Sequence, residues 1–306
     1  MRPLRGIAMK IASVTLFMVM NALIKAVSGG VPTGEIVFFR SACAMPAILL
    51  WLVARGEFPA GLRVRSPFGH VLRGLLGSTA MGLGFAGLAF LPLPEVVAIG
   101  YAAPLLTVVF AALLLGEKVH RFRISAVGLG MTGVLIVLMP NLAGLFGNGD
   151  PRATMGALIV LTGAVSAALA QVWVRRLVQR EQVSAIVFYF AVSATLLSLL
   201  TIPWGWVRPS PGEAAMLVLA GLFGGVGQIL LTSSYREADA SLIAPFEYSS
   251  MLMALGIGYF IFDEVPTWMT VAGATIIVTA GLIIIWRERQ LGIERARQRK
   301  AMTPQG

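Results

Sequence analysis

Residues 238–264 read ADASLIAPFEYSSMLMALGIGYFIFDE, an apolar run with one carboxylate, Glu247, set inside it. The chain carries a second version of this stretch. Shifted back by 147 positions, Tyr248 falls on Tyr101 and Glu264 on Glu117, while Gly221-Leu222-Phe223-Gly224 falls on Gly74-Leu75-Leu76-Gly77. An offset of 150 sets Ile186-Val187-Phe188-Tyr189 on Ile36-Val37-Phe38-Phe39, Gln171 on Asn21 and Arg175 on Lys25. The two offsets nearly coincide and hold over most of the chain. Because they match polar and aromatic positions as well as Leu and Val, they indicate an internal duplication.

The solvent in which that duplication folds is set by composition. Of 306 residues, 57% are hydrophobic and 12% charged, and the mean hydropathy is +0.84. A soluble domain has about twice that charged fraction, so the chain reads as an all-α membrane protein with no room for a sizeable soluble domain. The net charge of +10 sits in short loops and in the tail Arg287–Lys300. It forms no long basic face with interleaved aromatics, which argues against nucleic acid as a partner. The one cysteine, Cys43, lies in an apolar run, so disulfides and thiolate metal clusters are excluded, and no cofactor is expected. Arg2–Lys10 and the apolar run after it lack a small-x-small cleavage site and read as a retained first span.

A helix crosses a bilayer with about 20 mostly apolar residues. That length predicts ten spans, at 6–26, 34–53, 69–89, 94–115, 124–139, 155–174, 184–202, 213–232, 241–262 and 267–286. Residues 1–140 then form the first repeat, 141–154 an outer linker, 155–286 the second repeat and 287–306 a basic cytoplasmic tail. With a cytoplasmic N-terminus, eighteen Lys and Arg fall in the inner segments and only Arg152 and Arg208 in the outer loops. This positive-inside bias puts both termini in the cytoplasm. Five spans per half is an odd number, so the second half enters the membrane in the opposite sense. Inverted repeats of this kind build carriers whose central site opens to either side by rocking one half on the other. Gly82/Ala86 and Gly221/Gly225 have the small-xxx-small spacing of close helix contacts in lipid.

Pro104, Gly116-Glu117, Gly128 and Gly133, with Pro245, Asp263-Glu264 and Gly281 in the second copy, resemble the EamA repeat of the drug/metabolite transporter superfamily. The resemblance covers almost the entire chain. It implies a proton- or gradient-dependent carrier of small organic metabolites in the cytoplasmic (inner) membrane. It also implies a cavity lined by spans one to four and six to nine. His70-Val71-Leu72-Arg73-Gly74-Leu75 and Phe38-Phe39-Arg40-Ser41 look most like the branch of riboflavin and S-adenosylmethionine importers. An exporter of amino acids or drugs of the same superfamily is the alternative. The copies differ where Gly100 becomes Glu247 and Arg40 becomes Phe190, so the cavity is chemically lopsided.

Ionisable groups inside spans are costly and usually face the bundle interior, where they mark a pathway. Glu247 lies on the order of 9 Å into span nine at ~1.5 Å per residue, flanked by Pro245, Phe246 and Tyr248. Poor solvation there disfavours the charged carboxylate, which makes Glu247 the candidate proton-coupling site. The alternative for it is a static ion pair with Lys10. Arg40 is the candidate anchor for a substrate carboxylate or phosphate, unless Glu35 or Glu95 satisfies it within a structural network. Lys10, Lys25, Glu35 and Glu95 read as gate or ion-pair residues, and Glu117 and Glu264 as structural span ends. Tyr101 and Tyr248, with Phe39, Tyr189 and Trp173, could line the cavity and stack on a planar solute. Asn21 and Gln171 could supply amide hydrogen bonds to the solute or to neighbouring helices.

The motifs do not support other functions. His70 and His120 are the two histidines, and neither lies in HExxH; no Gly-x-Ser-x-Gly elbow and no phosphate-binding Gly-x4-Gly-Lys occurs. That argues against an intramembrane enzyme and an ATP motor. A channel usually needs a symmetric ring of charges, which a lopsided cavity lacks. Topology is testable directly. In a Cys43→Ser background, single cysteines at Arg152 and Arg121 should label from outside and inside respectively. Labelling of both from one face would overturn the inverted arrangement.

Overall fold

Three prolines decide where the helices break. Proline removes a backbone donor, and its ring clashes with the carbonyl four residues back. Pro46 is four residues after Ala42, where one helix ends, and Pro104 is four after Gly100, where another ends. Pro245 sits in the 3-10 segment Ala244–Tyr248 that interrupts the 238–264 stretch. The computed structural model describes residues 3–116, 121–146, 149–177, 180–238 and 240–302. Among these residues all regular structure is helical.

In chain order the first half comprises α1 (Pro3–Val27), α2 (Thr33–Ala42), α3 (Ala44–Ala54), α4 (Pro67–Leu88), α5 (Leu93–Gly100), α6 (Ala102–Leu115) and α7 (Arg121–Leu142). The second comprises α8 (Pro151–Leu177), α9 (Val183–Leu199), α10 (Pro211–Glu237), α11 (Ala240–Ile243), α12 (Ser249–Phe262) and α13 (Trp268–Met302). Eight helical stretches among the described residues are long and apolar enough to cross a membrane. Four of the expected spans differ from the simple twenty-residue rod, two of them, 34–53 and 94–115, because they divide at Cys43 and Tyr101. Val183–Leu199 is apolar but 17 residues long, and 241–262 is interrupted because Pro245 removes a rung of the helical ladder.

The ends carry their own signals. Ser210 accepts a bond from the Glu213 amide while the Glu213 carboxylate accepts one from Ser210, a capping box that starts α10. Gly116 ends α6 at φ 68° and Asp263 ends α12 at φ 54°, both left-handed caps. The 147-residue offset places these two on each other. Gly tolerates that conformation without strain, whereas Asp is one of the few other residues that visits it.

Under the sequence repeat α1 corresponds to α8, α2–α3 to α9, α4 to α10, α5–α6 to α11–α12, and α7 to α13. The packing survives exchange of the halves. α1 lies on α10 as α8 lies on α4; α4 touches α9 as α10 touches α2; α6 touches α8 as α12 touches α1. The remaining main pairs, α2 with α9 and α7 with α13, map onto themselves. One apolar cluster gathers Ile99, Val108, Val134 and Ile277, and a second gathers Ile24, Ile36, Leu93 and Leu217.

Backbones come closest where α7 crosses α13. A Cβ on Gly133 would lie 2.7 Å from the Gly273 carbonyl oxygen, and one on Gly273 would lie 2.6 Å from that of Gly133. α10 likewise sits on the α2–α3 junction, where a Cβ on Gly221 would be 2.5 Å from the Cys43 Cβ. Gly82 is different: the nearest atom to its would-be Cβ is a Val37 methyl at 3.9 Å, so the Gly82/Ala86 pair marks no tight crossing. Gly273→Leu should therefore lower the thermal midpoint of the detergent-solubilised protein, by about 1–3 kcal/mol or more of overpacking. Gly82→Ala, inside α4 with room for the methyl, should not lower it and should raise it slightly. An unaltered midpoint for Gly273→Leu would refute the backbone crossing.

Candidate functional site

Tyr101 and Tyr248 stand at the two helix breaks, and they touch. Their backbones are alike, at φ −67°, ψ −7° and φ −69°, ψ −11°. Their rings lie 5.3 Å apart, centroid to centroid, at 55°. Residues matched by the 147-residue offset thus meet where each half is broken. The Tyr101 hydroxyl is hydrogen-bonded to Ser250 Oγ, and the Tyr248 hydroxyl is pressed against Gly281 on α13. Both rings are engaged in the packing between halves, with Tyr101 buried in the cluster around Ile99.

Carboxylates and ammonium groups close both ends of this interface. Lys10, 1% exposed, forms an ion pair with Glu247, whose side chain is 52% exposed. The expected ion pair of Glu247 with Lys10 is thus present, on a side chain that other protein groups leave half uncovered. The 3-10 turn Ala244–Tyr248 carries this side chain, with the buried Lys10 ammonium against it. At the other end Lys25 Nζ lies 2.7 Å from Glu264 Oε1 and donates to the Leu88 and Leu91 carbonyls at 3.2 and 2.8 Å. Glu264 Oε2 accepts from the Leu93 amide at 2.9 Å. Glu264, read as a span end, is thus half of a clasp joining α1, the α4–α5 turn and the end of α12. Its repeat counterpart Glu117 lies outside the described residues.

Glu35 and Glu95 do not satisfy Arg40. Buried Glu35 accepts from the Val207 amide at 3.1 Å. Glu95 accepts from Asn141 Nδ2 at 2.8 Å and Thr270 Oγ1 at 3.3 Å, tying α5 to α7 and α13. Arg40, 8% exposed, leaves its Nε buried without a hydrogen-bond partner. Beside it is Arg73 on α4, whose Nε and Nη1 are buried and unpartnered in the same way. The Arg73 guanidinium stacks at 4.2 Å on the ring of Phe190, the residue the repeat sets in place of Arg40. Insertion scales put one mid-span Arg at about 2.5–3.5 kcal/mol, so two without a counter-charge need a reason.

The remaining expected residues divide. Phe39 packs at the edge of the cluster around Ile36, and Asn21 is half-buried on α1. Gln171 is exposed on α8 and meets Thr107 Oγ1 at 3.5 Å. Trp173 donates to the Gly69 carbonyl at 3.0 Å and Tyr189 to that of Leu62 at 3.2 Å, so both are tied to the start of α4 and the turn before it. Sequence reading passed over Arg73, although the signal was available. Once loops and tail are assigned, the 24 basic residues leave Lys10, Lys25, Arg40 and Arg73 inside spans. It also passed over Glu181, which accepts from the Arg65 and Ser66 amides at 2.8 and 2.5 Å and lies 3.6 Å from His70 Nε2.

Comparison with known proteins follows the same geometry. The sequence profile of the EamA-like transporter family matches twice, over residues 4–139 and 154–286. The pseudopaline exporter CntI of Pseudomonas aeruginosa (strain UCBPP-PA14) is 30% identical over 276 residues, 90% of this chain and 94% of that protein. The S-adenosylmethionine uptake transporter of Rickettsia prowazekii (strain Madrid E) is 28% identical over 94% of each chain. The riboflavin transporter of Rhizobium johnstonii is 28% identical over 75% of this chain and 74% of that one.

The Lys25–Glu264 clasp makes a prediction. Leaving one charge of a buried pair alone costs about 3–5 kcal/mol. Glu264→Gln and Lys25→Met should each lower the unfolding midpoint, and the double variant should recover part of the loss. Additive losses in that double-mutant cycle would show that the two charges do not act as a pair.

Proposed function

Because the chain belongs to the EamA-like transporter family and is a multi-pass membrane transporter of small metabolites, we propose that it works by alternating access in the cytoplasmic membrane. On this reading ten spans form two inverted five-helix repeats with both termini in the cytoplasm. The observation that carries it is the Tyr101–Tyr248 contact at 5.3 Å. A residue can touch its own repeat counterpart only if the axis relating the halves runs between them, and carriers place their site on such an axis, at broken helices. The exchange-symmetric packing of α1 on α10 and α8 on α4 supports the same reading.

Lys25–Glu264 then serves as a gate at the outer mouth and Lys10–Glu247 as its inner counterpart, with Glu35 and Glu95 bracing the outer ends of their helices. Arg40, Asn21 and Gln171 offer polar contacts to the solute, and Phe39, Trp173, Tyr189 and the two axial tyrosines offer aromatic faces. The solute is an organic metabolite of the size of the relatives' cargoes, S-adenosylmethionine, riboflavin and pseudopaline. One relative is named for uptake and another for export. A rocking mechanism serves both, since the driving gradient sets the direction.

Glu247 is the coupling group in this scheme. A proton arriving from its exposed side competes with Lys10 for the carboxylate, so protonation opens the pair and deprotonation closes it. Glu247→Gln keeps the shape and removes the exchange. In proteoliposomes this variant should lose accumulation driven by a pH gradient while keeping solute counterflow, with S-adenosylmethionine and riboflavin as first substrates. Wild-type, pH-dependent accumulation by the Gln variant would remove Glu247 from the coupling role. Absence of saturable counterflow in the wild type, over a broad metabolite panel, would sink the carrier reading itself.

A further inference from the structure

We propose that Arg40 and Arg73 together form a subsite that seats the anionic end of the transported solute, a carboxylate or phosphate group, between two guanidiniums. This deepens the carrier reading above and rests on it. It makes the solute an organic anion or zwitterion.

Charge balance is the first argument. Among the described residues no Asp or Glu pairs with either arginine, and the two acidic residues expected to do so, Glu35 and Glu95, bond to Val207, Asn141 and Thr270. Phe190 joins the two guanidiniums in space, since it stacks under Arg73 and lines a small void with Arg40. Donor accounting is the second. Arg40 Nε and Arg73 Nε and Nη1 are buried with no acceptor, while nearly all buried donors in folded proteins have one. A guanidinium placed for structure alone would be expected to hold a carbonyl or a carboxylate. Planar forks presenting free N–H groups match the oxygens of a carboxylate or phosphate.

The surroundings are shaped for these two side chains. Phe190 carries Arg73 on its ring and also lines, with Arg40, Gly224 and Gln228, a void of about 10 Å³. That is room for roughly one water, so in this conformation the seat is shut. It widens only when α2, α4, α9 and α10 part, which ties occupancy to movement of the halves. Two glycines leave space for the forks. A Cβ on Gly224 would stand 3.1 Å from Arg40 Nε, and one on Gly77 would overlap the Arg73 guanidinium and meet Phe190 Cε2 at 2.8 Å.

The test is ligand-dependent thermal stability of the purified full chain in detergent. Malonate and inorganic phosphate serve as probes, with sodium chloride at matched ionic strength as control. The midpoint should rise saturably with malonate or phosphate and not with chloride. Arg40→Gln and Arg73→Gln should each weaken that response about tenfold or more, while Arg55→Gln, at a surface pair with Glu57, should not. Should the Gln variants fail to fold, Arg40→Lys and Arg73→Lys keep the charge and lose the fork, and the same weakening is expected. Chloride matching both probes, or well-folded arginine variants with wild-type response, would overturn the proposal. So would stabilisation by phosphatidylglycerol alone, which would assign the seat to a lipid headgroup. The two readings fail separately. Probe binding without counterflow of any solute removes the carrier and leaves the seat, whereas counterflow with no anion response does the reverse.

Discussion

Inside hydrocarbon there is no water to pair a loose backbone N–H or C=O, so each must find a partner within the protein. Pro46, Pro104 and Pro245 remove such partners inside apolar runs, and much of the architecture answers that deficit. At the 244–248 break, Ser249 Oγ donates to the Phe246 carbonyl at 2.6 Å and Ser250 Oγ to that of Glu247 at 2.7 Å. After the α5–α6 break, Thr107 Oγ1 donates to the Ala103 carbonyl at 2.7 Å. Hydroxyls thus add donors to carbonyls beside the breaks. The same breaks bring Tyr101, Tyr248 and Glu247 together on one interface. Where the helix is weakest, chemistry and movement can share a place.

The two halves share a backbone plan and diverge in charge. Arg40 and Arg73 come from the first half and rest against Phe190 and Gly224 of the second. Glu247 and Glu264 come from the second and pair with Lys10 and Lys25 of the first. Each half therefore supplies charges that find their contacts in the other. An interface built this way resists slipping, because sliding one half would separate several charged contacts at once. Under the proposed mechanism, a proton or an anion would act across the boundary between halves.

How much of this is legible in the sequence differs from feature to feature. The duplication and the all-helical membrane class follow from offsets and apolar runs, whereas the divisions of 34–53 at Cys43 and of 94–115 at Tyr101 do not. Gly116 and Asp263 are equivalent by offset and turn out equivalent in backbone conformation. The Lys10–Glu247 pair is readable from matching depths, but the 3-10 turn that carries Glu247 is not, because it depends on how the chain packs around Pro245. Lys25–Glu264 is not readable, since a span-end carboxylate gives no hint of which neighbouring span will present an ammonium. Arg73 is readable by elimination among the basic residues. That it stacks on Phe190 is a tertiary fact with no local pattern.

The stacking of Arg73 on Phe190 has a consequence for the symmetry of the chain. The family profile matches each half separately, and the Tyr101–Tyr248 contact sets matched residues of the two halves against each other. Two copies of the first half alone could still bring tyrosine to tyrosine. They would, however, set Arg40 of one copy where Phe190 now stands, directly beneath Arg73 of the other. Four guanidiniums would crowd a space that now holds two and an aromatic platform. With arginine at 40 and phenylalanine at 190, the two halves are not interchangeable.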